Sequence, residues 1–283
     1  MKVAIITRNS NPWAYFLISR LSPGGVDIVV FDEIRELSKA PWNSMRFIKR
    51  RGFAVFADLY LQQTAARLAR FKHALSGSKA DLQHFASNKP FDPEHPFEFR
   101  STLAAIVEER MNLDHRVQWH RAGNINSKET IAAIRLSAAD HIVLCGAPLL
   151  KMSKLSDVGA LINSHCGIPP KYKGSSPMQW ACYNQDWENI GFTLHIATSE
   201  VDGGPIIFQQ RLKPHETWTL KDLDWFLVYS MYSKLCELIL NNSLTQLISD
   251  AKEQPQGHEA LPPMGLIRTR VAEKRLKRFH SGN

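Results

Sequence analysis

Short apolar runs alternate with helical patterns along this chain, and that alternation constrains its fold more than any other feature. Residues 2–6 form one run, and a helical pattern with apolar side chains on one side follows Pro12. Further strand-like runs lie at 26–31, 140–146 and 161–163. Strand, helix and strand in succession predict an α/β fold with a mostly parallel sheet.

Composition excludes several other classes of protein. The chain has 283 residues, of which 44% are hydrophobic and 22% charged, so it is neither a disordered polar chain nor a small disulfide scaffold. No segment approaches the roughly 18 uninterrupted apolar residues of a membrane span. The four cysteines form no CxxC pair, which argues against structural zinc. We predict a cytoplasmic protein with no membrane span and no metal site.

The net charge of +8 suggests an anionic partner at first sight. Two segments, residues 46–51 and 268–278, carry more than the whole excess of basic over acidic residues. The rest of the chain is therefore about neutral. These segments either help to hold an anionic acceptor or form a solvated surface, and they argue little for nucleic acid.

Residues suited to acyl-type transfer concentrate between 140 and 212. Asn163 and His165 lie two apart at the end of a strand-like run, so alternation places both on one face. Asp202 precedes two glycines, which allow a sharp turn close to a ligand. An amide can donate to an oxyanion, an imidazole can exchange a proton, and a carboxylate can orient the imidazole. As a bare pattern, the three residues also occur without catalysis.

Four blocks of sequence resemble the folate-dependent formyltransferases, the family that includes the glycinamide ribonucleotide, methionyl-tRNA and sugar N-formyltransferases. They read NSHCGIPPKYKG at 163–174, SSPMQWA at 175–181, GFTLH at 191–195 and VDGGPII at 201–207. The resemblance covers about residues 124–225 and is weak over 1–32. It implies a Rossmann-like core, 10-formyltetrahydrofolate as the formyl donor and a primary amine as the acceptor.

The resemblance also implies roles for individual residues. Asn163, a protonated His165 and Asp202 would form the catalytic trio. Two loops would hold the pterin of the donor through Gly146, Ala147, Leu150, Thr198, Val201 and Gly203. The acceptor would contact Ser10, Asn11, Lys171 and Gly174. Outside these sets, we expect Leu149 to fill the core, Cys166 to be a bystander thiol, and His195 to face the edge of the site or a core hydrogen bond.

Departures from the family pattern favour one acceptor class. Of the glycine-rich phosphate loop of the glycinamide ribonucleotide enzymes, residues 7–11 keep only Ser10 and Asn11. About 70 residues follow position 212, mostly with helical patterns, where methionyl-tRNA formyltransferase has a β-barrel. We therefore predict an amino sugar, most simply nucleotide-linked. Formyltetrahydrofolate deformylase activity, or formyl transfer to glycinamide ribonucleotide, methionyl-tRNA or another small amine, is the alternative.

We divide the chain into a catalytic core at 1–215, with a family-specific insert at 35–120, and a helical C-terminal extension at 216–283 that ends in the basic tail. Thr219 and Asp222 predict a capping box for a helix that runs to about Leu240. That helix would offer an apolar face to a second copy of the chain, so a homo-oligomer is also a prediction.

Overall fold

The computed structural model describes residues 1–9, 11–34, 116–255 and 258–281. Within them, seven strands form one sheet in the order β3-β2-β1-β4-β5-β6-β7. The first five in this order pair in parallel, and β6 and β7 join antiparallel. The strands are β1 (Lys2–Arg8), β2 (Asp27–Glu33), β3 (Val117–Ala122), β4 (His141–Cys145), β5 (Leu161–His165), β6 (Gly191–Ile196) and β7 (Ile206–Arg211). The predicted mostly parallel α/β sheet is confirmed.

Helices cover both faces of this sheet. In the described residues they are α1 (Pro12–Leu21), α2 (Lys128–Leu136), α3 (Pro177–Tyr183), α4 (Leu220–Leu240), α5 (Leu244–Ser249) and α6 (Leu266–Ser281), with short 3-10 turns at Ser22–Gly24, Met152–Lys154 and Trp187–Asn189. The capping box of Thr219 and Asp222 at the start of α4 is confirmed. Such a box satisfies two otherwise unpaired backbone N–H groups at the helix start.

Burial on both faces explains the apolar runs within β1, β2 and β4. Along β1, Val3 and Ile5 pack with α1 and α4 on one side of the sheet. The alternate residues Ala4 and Ile6 pack on the other side, in a cluster with α2. Successive strand residues point to opposite faces, so a strand covered by helices on both sides needs apolar residues at every position.

Helix α4 packs inside the chain, where the sequence predicted a face free for a second copy. Leu227, Met231 and Leu235 are buried in clusters with α1, α6 or the sheet. The predicted apolar face is therefore covered by the protein's own core. The division at 215 remains a prediction, and α4 shares a hydrophobic cluster with β1.

The predicted insert lies mainly outside the described residues. Its final part does not, because β3 begins at Val117 and pairs with β2. The sheet therefore resumes before the predicted end of the insert at residue 120. Over the ranges that the structure describes, no helix is long and apolar enough to cross a bilayer.

Candidate active site

Asn163, His165 and Asp202 meet at the carboxyl end of β5, the edge where open α/β sheets form their clefts. The amide nitrogen of Asn163 lies 3.0 Å from Oδ1 of Asp202. Nδ1 of His165 lies 3.4 Å from Oδ2 of the same carboxylate. The structure thus brings together the three side chains that the sequence proposed as a catalytic trio, with Asp202 between the other two.

His195 is a fourth member of this cluster. It is the direct partner of Asn163 across β5 and β6, and its Nε2 lies 3.0 Å from Nδ2 of Asn163. Nδ1 of His195 lies 3.0 Å from the carbonyl oxygen of Ile196. Because a carbonyl only accepts, we assign the proton to Nδ1, and Nε2 then accepts from Asn163. The sequence predicts His195 at the edge of the site or in a core hydrogen bond, and no closer placement, because the antiparallel pairing of β6 with β5 is not visible in the motif.

His165 has an acceptor at each ring nitrogen. Nε2 donates to the carbonyl oxygen of Tyr172 at 2.7 Å, and Nδ1 faces Asp202. Burial lowers the pKa of His165 below its ordinary value of 6.5, although Asp202 and the Tyr172 carbonyl partly oppose that effect. This shift opposes the protonated ring that the family resemblance implies, whereas the acceptors at both ring nitrogens favour it, because only a protonated imidazole donates from both.

Asp202 stays ionised despite its burial. Burial raises its pKa, but the rings of His195 and His165, when protonated, and the backbone N–H of Gly174, which donates to Oδ2 at 2.8 Å, bring the pKa below the ordinary value of 3.8. The next residues allow this placement, since a Cβ on Gly204 would lie 1.9 Å from the Ile196 carbonyl oxygen. Only glycine permits that close approach of two backbone segments.

A cavity of about 500 Å³ opens beside this cluster. The loop after β4 and the loop before Asp202 form its walls, and Asn163, His195 and Asp202 lie at its surface. Four predicted donor-binding residues line it: Ala147, Leu150, Thr198 and Val201. Gly146 in the loop after β4 and Gly203, which follows Asp202, do not line it.

Leu149 corrects one sequence-based expectation. Its side chain is 84% exposed and borders the cavity instead of filling the core. Leu150 beside it does pack against a core cluster. Cys166 fits its predicted bystander role, because burial raises the pKa of its thiol well above 9.0.

The four predicted acceptor-binding residues have different environments. Gly174 lies in the site, but its N–H is already donated to Asp202. Asn11 caps α1 by accepting from the backbone N–H of Trp13. Lys171 forms an ion pair with Asp186 and does not border the cavity. Ser10 lies outside the described residues.

In the ranges that the structure does describe, no group of three or more His, Cys, Asp or Glu residues could hold a metal ion.

A mostly parallel sheet with an amide, two imidazoles and a carboxylate clustered beside its strand ends defines an α/β protein with a polar site at the usual cleft position. Comparison with known proteins narrows this class. Residues 77–225, more than half of the chain, match the family model described as formyl transferase. The chain therefore belongs to the formyl transferase family.

The curated relatives of this chain are named for different functions. The chain is 30% identical over 167 residues to the bifunctional polymyxin resistance protein ArnA of Wigglesworthia glossinidia brevipalpis, which covers 56% of this chain and 25% of that protein. It is 32% identical over 121 residues to methionyl-tRNA formyltransferase of Thermotoga sp. (41% and 37%). It is 33% identical over 129 residues to formyltetrahydrofolate deformylase of Corynebacterium sp. (39% and 43%). The matches thus span less than half the length of each of these relatives.

Solved structures show the same fold. Phosphoribosylglycinamide formyltransferase from Anaplasma phagocytophilum superposes with a TM-score of 0.52 at 15% identity, covering 92% of this chain and 96% of that one. A 4-N formyltransferase from Francisella tularensis gives 0.51 at 14% identity, covering 97% and 87%. Identities this low support the architecture and leave the acceptor open.

Proposed function

We propose that the protein transfers the formyl group of 10-formyltetrahydrofolate to a primary amine, most simply that of a nucleotide-linked amino sugar. The observation that carries this proposal is the cavity whose surface includes Asn163, His195 and Asp202. Membership of the formyl transferase family supports the reaction class.

The cavity has the size and lining that suit a folate donor. Ligand pockets typically have volumes of about 300–1,000 Å³ and combine apolar walls with a few polar groups. Here Ala147, Leu150 and Val201 supply apolar surface, and Thr198 supplies a hydroxyl. In our proposal a flat heterocycle lies between the two loops, with its formyl group against Asn163 and Asp202.

The chemistry that we propose uses the cluster as a proton carrier and an oxyanion site. The nitrogen of the neutral amine attacks the formyl carbon, a C–N bond forms, and the carbonyl oxygen becomes an oxyanion. Asn163 turns one N–H from His195 to that oxygen. Asp202 accepts the amine proton through water and returns it to the departing folate nitrogen as the original C–N bond breaks. His165 lies on the other side of Asp202, with its Nδ1 3.4 Å from Oδ2.

The start of α1 favours an acceptor other than glycinamide ribonucleotide. A helix N-terminus binds phosphate through free backbone N–H groups. Pro12 has no N–H, the N–H of Trp13 donates to the Asn11 side chain at 3.0 Å, and that of Ala14 donates to the Asn11 carbonyl at 2.9 Å. The chain itself uses the donors that a ribonucleotide phosphate would need.

An amine screen with 10-formyltetrahydrofolate tests the proposal. Nucleotide-linked amino sugars, free amino sugars, glycinamide ribonucleotide and methionyl-tRNA are offered in parallel, and both tetrahydrofolate release and product mass are measured. We expect a formylated amino sugar, and loss of turnover in Asp202→Asn. Tetrahydrofolate and formate without a formylated product would identify a deformylase instead, and no release with any amine or with water would contradict formyl transfer.

A further inference from the structure

The connection between α5 and α6, which we define as residues 252–255 and 258–264, contacts the turn that carries Asp202. Gln254 is buried, and its amide nitrogen donates to the backbone oxygens of Asp202 at 3.0 Å and of Gly204 at 2.6 Å. One side chain therefore holds both ends of the turn at 202–204. Gln254 lies outside residues 77–225, the part that matches the family model.

The turn needs such support because its backbone is strained. Asp202 has a φ of 49°, in the left-handed region that few non-glycine residues adopt and that aspartate enters more readily than most. Conformations of this kind persist where the surroundings fix them. Besides Gln254, the connection supplies Lys252, whose backbone pairs with Ile206 through N–O distances of 2.8 and 3.0 Å. The segment after the turn is thus tied to the same connection.

The other end of the connection holds the loop that follows β5. The N–H of Leu261 donates to the carbonyl of Lys173 at 2.8 Å, and the N–H of Ser175 donates back to Leu261 at 2.9 Å. The indole N–H of Trp180 donates to the carbonyl of Pro262 at 2.8 Å. The second half of the connection is therefore hydrogen-bonded through its backbone to the loop after β5 and to a side chain of α3.

The two loops held in this way meet at the catalytic carboxylate. The N–H of Gly174, between Lys173 and Ser175, donates to Oδ2 of Asp202 at 2.8 Å. The same Oδ2 lies 3.4 Å from Nδ1 of His165. Movement of either loop relative to the other would lengthen these contacts, so the connection bears directly on the distance between Asp202 and His165.

We propose that the α5–α6 connection sets the position of Asp202 against His165, and that Gln254 is the positioning residue for the turn at 202–204. The consequence for turnover rests on the proposed function. The consequence for the Asp202–His165 geometry does not, because it concerns the protein alone.

Titration of His165 reports this geometry. The groups that face its ring are the Asp202 carboxylate, the carbonyl of Tyr172 and the ring of His195, whose centroid lies 6.4 Å away. Asp202 raises the pKa of His165, so withdrawal of the carboxylate lowers that pKa further. A loss of stability without a change in the Asp202–His165 distance leaves the pKa of His165 unchanged.

Gln254→Met tests the inference, since methionine keeps the length of the side chain and removes both donors. We expect the NMR titration of the His165 ring, assigned with His165→Gln, to move to lower pH in the protein without folate. We also expect kcat to fall about tenfold or more with a smaller change in the donor KM, as misplaced catalytic groups do. Gln246→Met is the matched control, because Gln246 donates only to Asp250 on the exposed side of α5.

An unchanged His165 pKa in folded Gln254→Met would overturn the inference. If that variant does not fold, Trp180→Phe removes the bond at the other end of the connection, and the same downward movement of the His165 pKa is expected; its absence would equally overturn the inference. If the protein does not transfer formyl groups, the kinetic measurement fails for every variant, including the control, while the NMR titration still decides whether Gln254 positions Asp202.

Discussion

Nδ2 of Asn163 lies 3.0 Å from Nε2 of His195, its direct partner across β5 and β6. The second hydrogen on the same nitrogen is directed at Asp202, also at 3.0 Å. An oxyanion that binds Asn163 must therefore replace one of these acceptors. The bond to the carboxylate is charge-assisted and the stronger of the two, so the bond to the His195 ring is the one that yields.

The first prediction concerns His195→Leu. Loss of the imidazole leaves one Asn163 proton without a partner and the amide less well oriented, so we expect kcat to fall about tenfold. Asn163→Ala removes the donor itself and is expected to cost roughly 10²–10³ in kcat. Steady-state kinetics with the donor and the identified amine measure both.

His141→Leu is the control for this pair. His141 is buried at the amino end of the central strand β4, whereas the site lies at the carboxyl end of the parallel strands, so the substitution is expected to leave kcat nearly unchanged. Equal kcat in His195→Leu and the unaltered protein would show that His195 does not orient Asn163.

The second prediction follows from the lowered pKa of His165. In the unfolded chain the ring titrates near its ordinary value of 6.5, whereas burial keeps it neutral to lower pH in the folded protein. The unfolded state therefore binds more protons just below pH 6.5, and the free energy of unfolding falls as pH decreases, by at most about 1.4 kcal/mol per pH unit for one group.

Urea unfolding at a series of pH values measures this effect. Burial also lowers the pKa of His141, which contributes a slope of the same sign. The difference between the unaltered protein and His165→Gln therefore isolates the His165 contribution. Parallel curves for the two proteins between pH 7 and 5 would contradict the lowered pKa.

Much of this architecture could be predicted from the sequence because local signals and tertiary structure agree. Residues 3–6 are apolar at every position because both faces of β1 are covered, and the capping box of Thr219 follows from local hydrogen bonding alone. Asn163 and His165 share a face through the period of a strand. These features depend on neighbours in the chain.

The missed features depend on distant contacts. His195 joins the site because β6 pairs antiparallel with β5, and Gln254 reaches Asp202 from 52 residues away. Leu149 is exposed because its loop leaves the sheet, which its apolar character does not reveal. Helix α4 is apolar because it packs in the core, and the same pattern suggested a face for a partner.

The third prediction compares two glycines. Gly204→Ala places a Cβ 1.9 Å from the backbone oxygen of Ile196, so the turn after Asp202 must move. We expect a loss of about 1–3 kcal/mol in the free energy of unfolding and weaker binding of a folate analogue. Gly123→Ala is the control, because among the described residues, its two chain neighbours aside, no atom lies within 4 Å of the added Cβ, and a change within about 0.5 kcal/mol is expected. Equal unfolding midpoints would show that the turn adapts freely.

The fourth prediction concerns the ion pair between Lys173 and Glu200. The Lys173 side chain is 2% exposed, whereas that of Glu200 is 54% exposed and borders the cavity. The loss of stability therefore depends on which partner of the pair is removed. Glu200→Gln leaves a buried ammonium group without its carboxylate, whereas Lys173→Met removes the buried charge and keeps an apolar side chain of similar length.

Because water reaches Glu200, we expect Glu200→Gln to lower the free energy of unfolding by about 1–2 kcal/mol, less than for a fully buried pair. Lys173→Met should lower it by less than about 1 kcal/mol. The double variant should resemble Lys173→Met, since the charge that needed Glu200 is gone. Denaturant unfolding of the four proteins gives the interaction energy directly. Additive losses would show that the two side chains act independently. A larger loss in Lys173→Met than in Glu200→Gln would contradict the prediction that the unpaired buried ammonium group is the more destabilising.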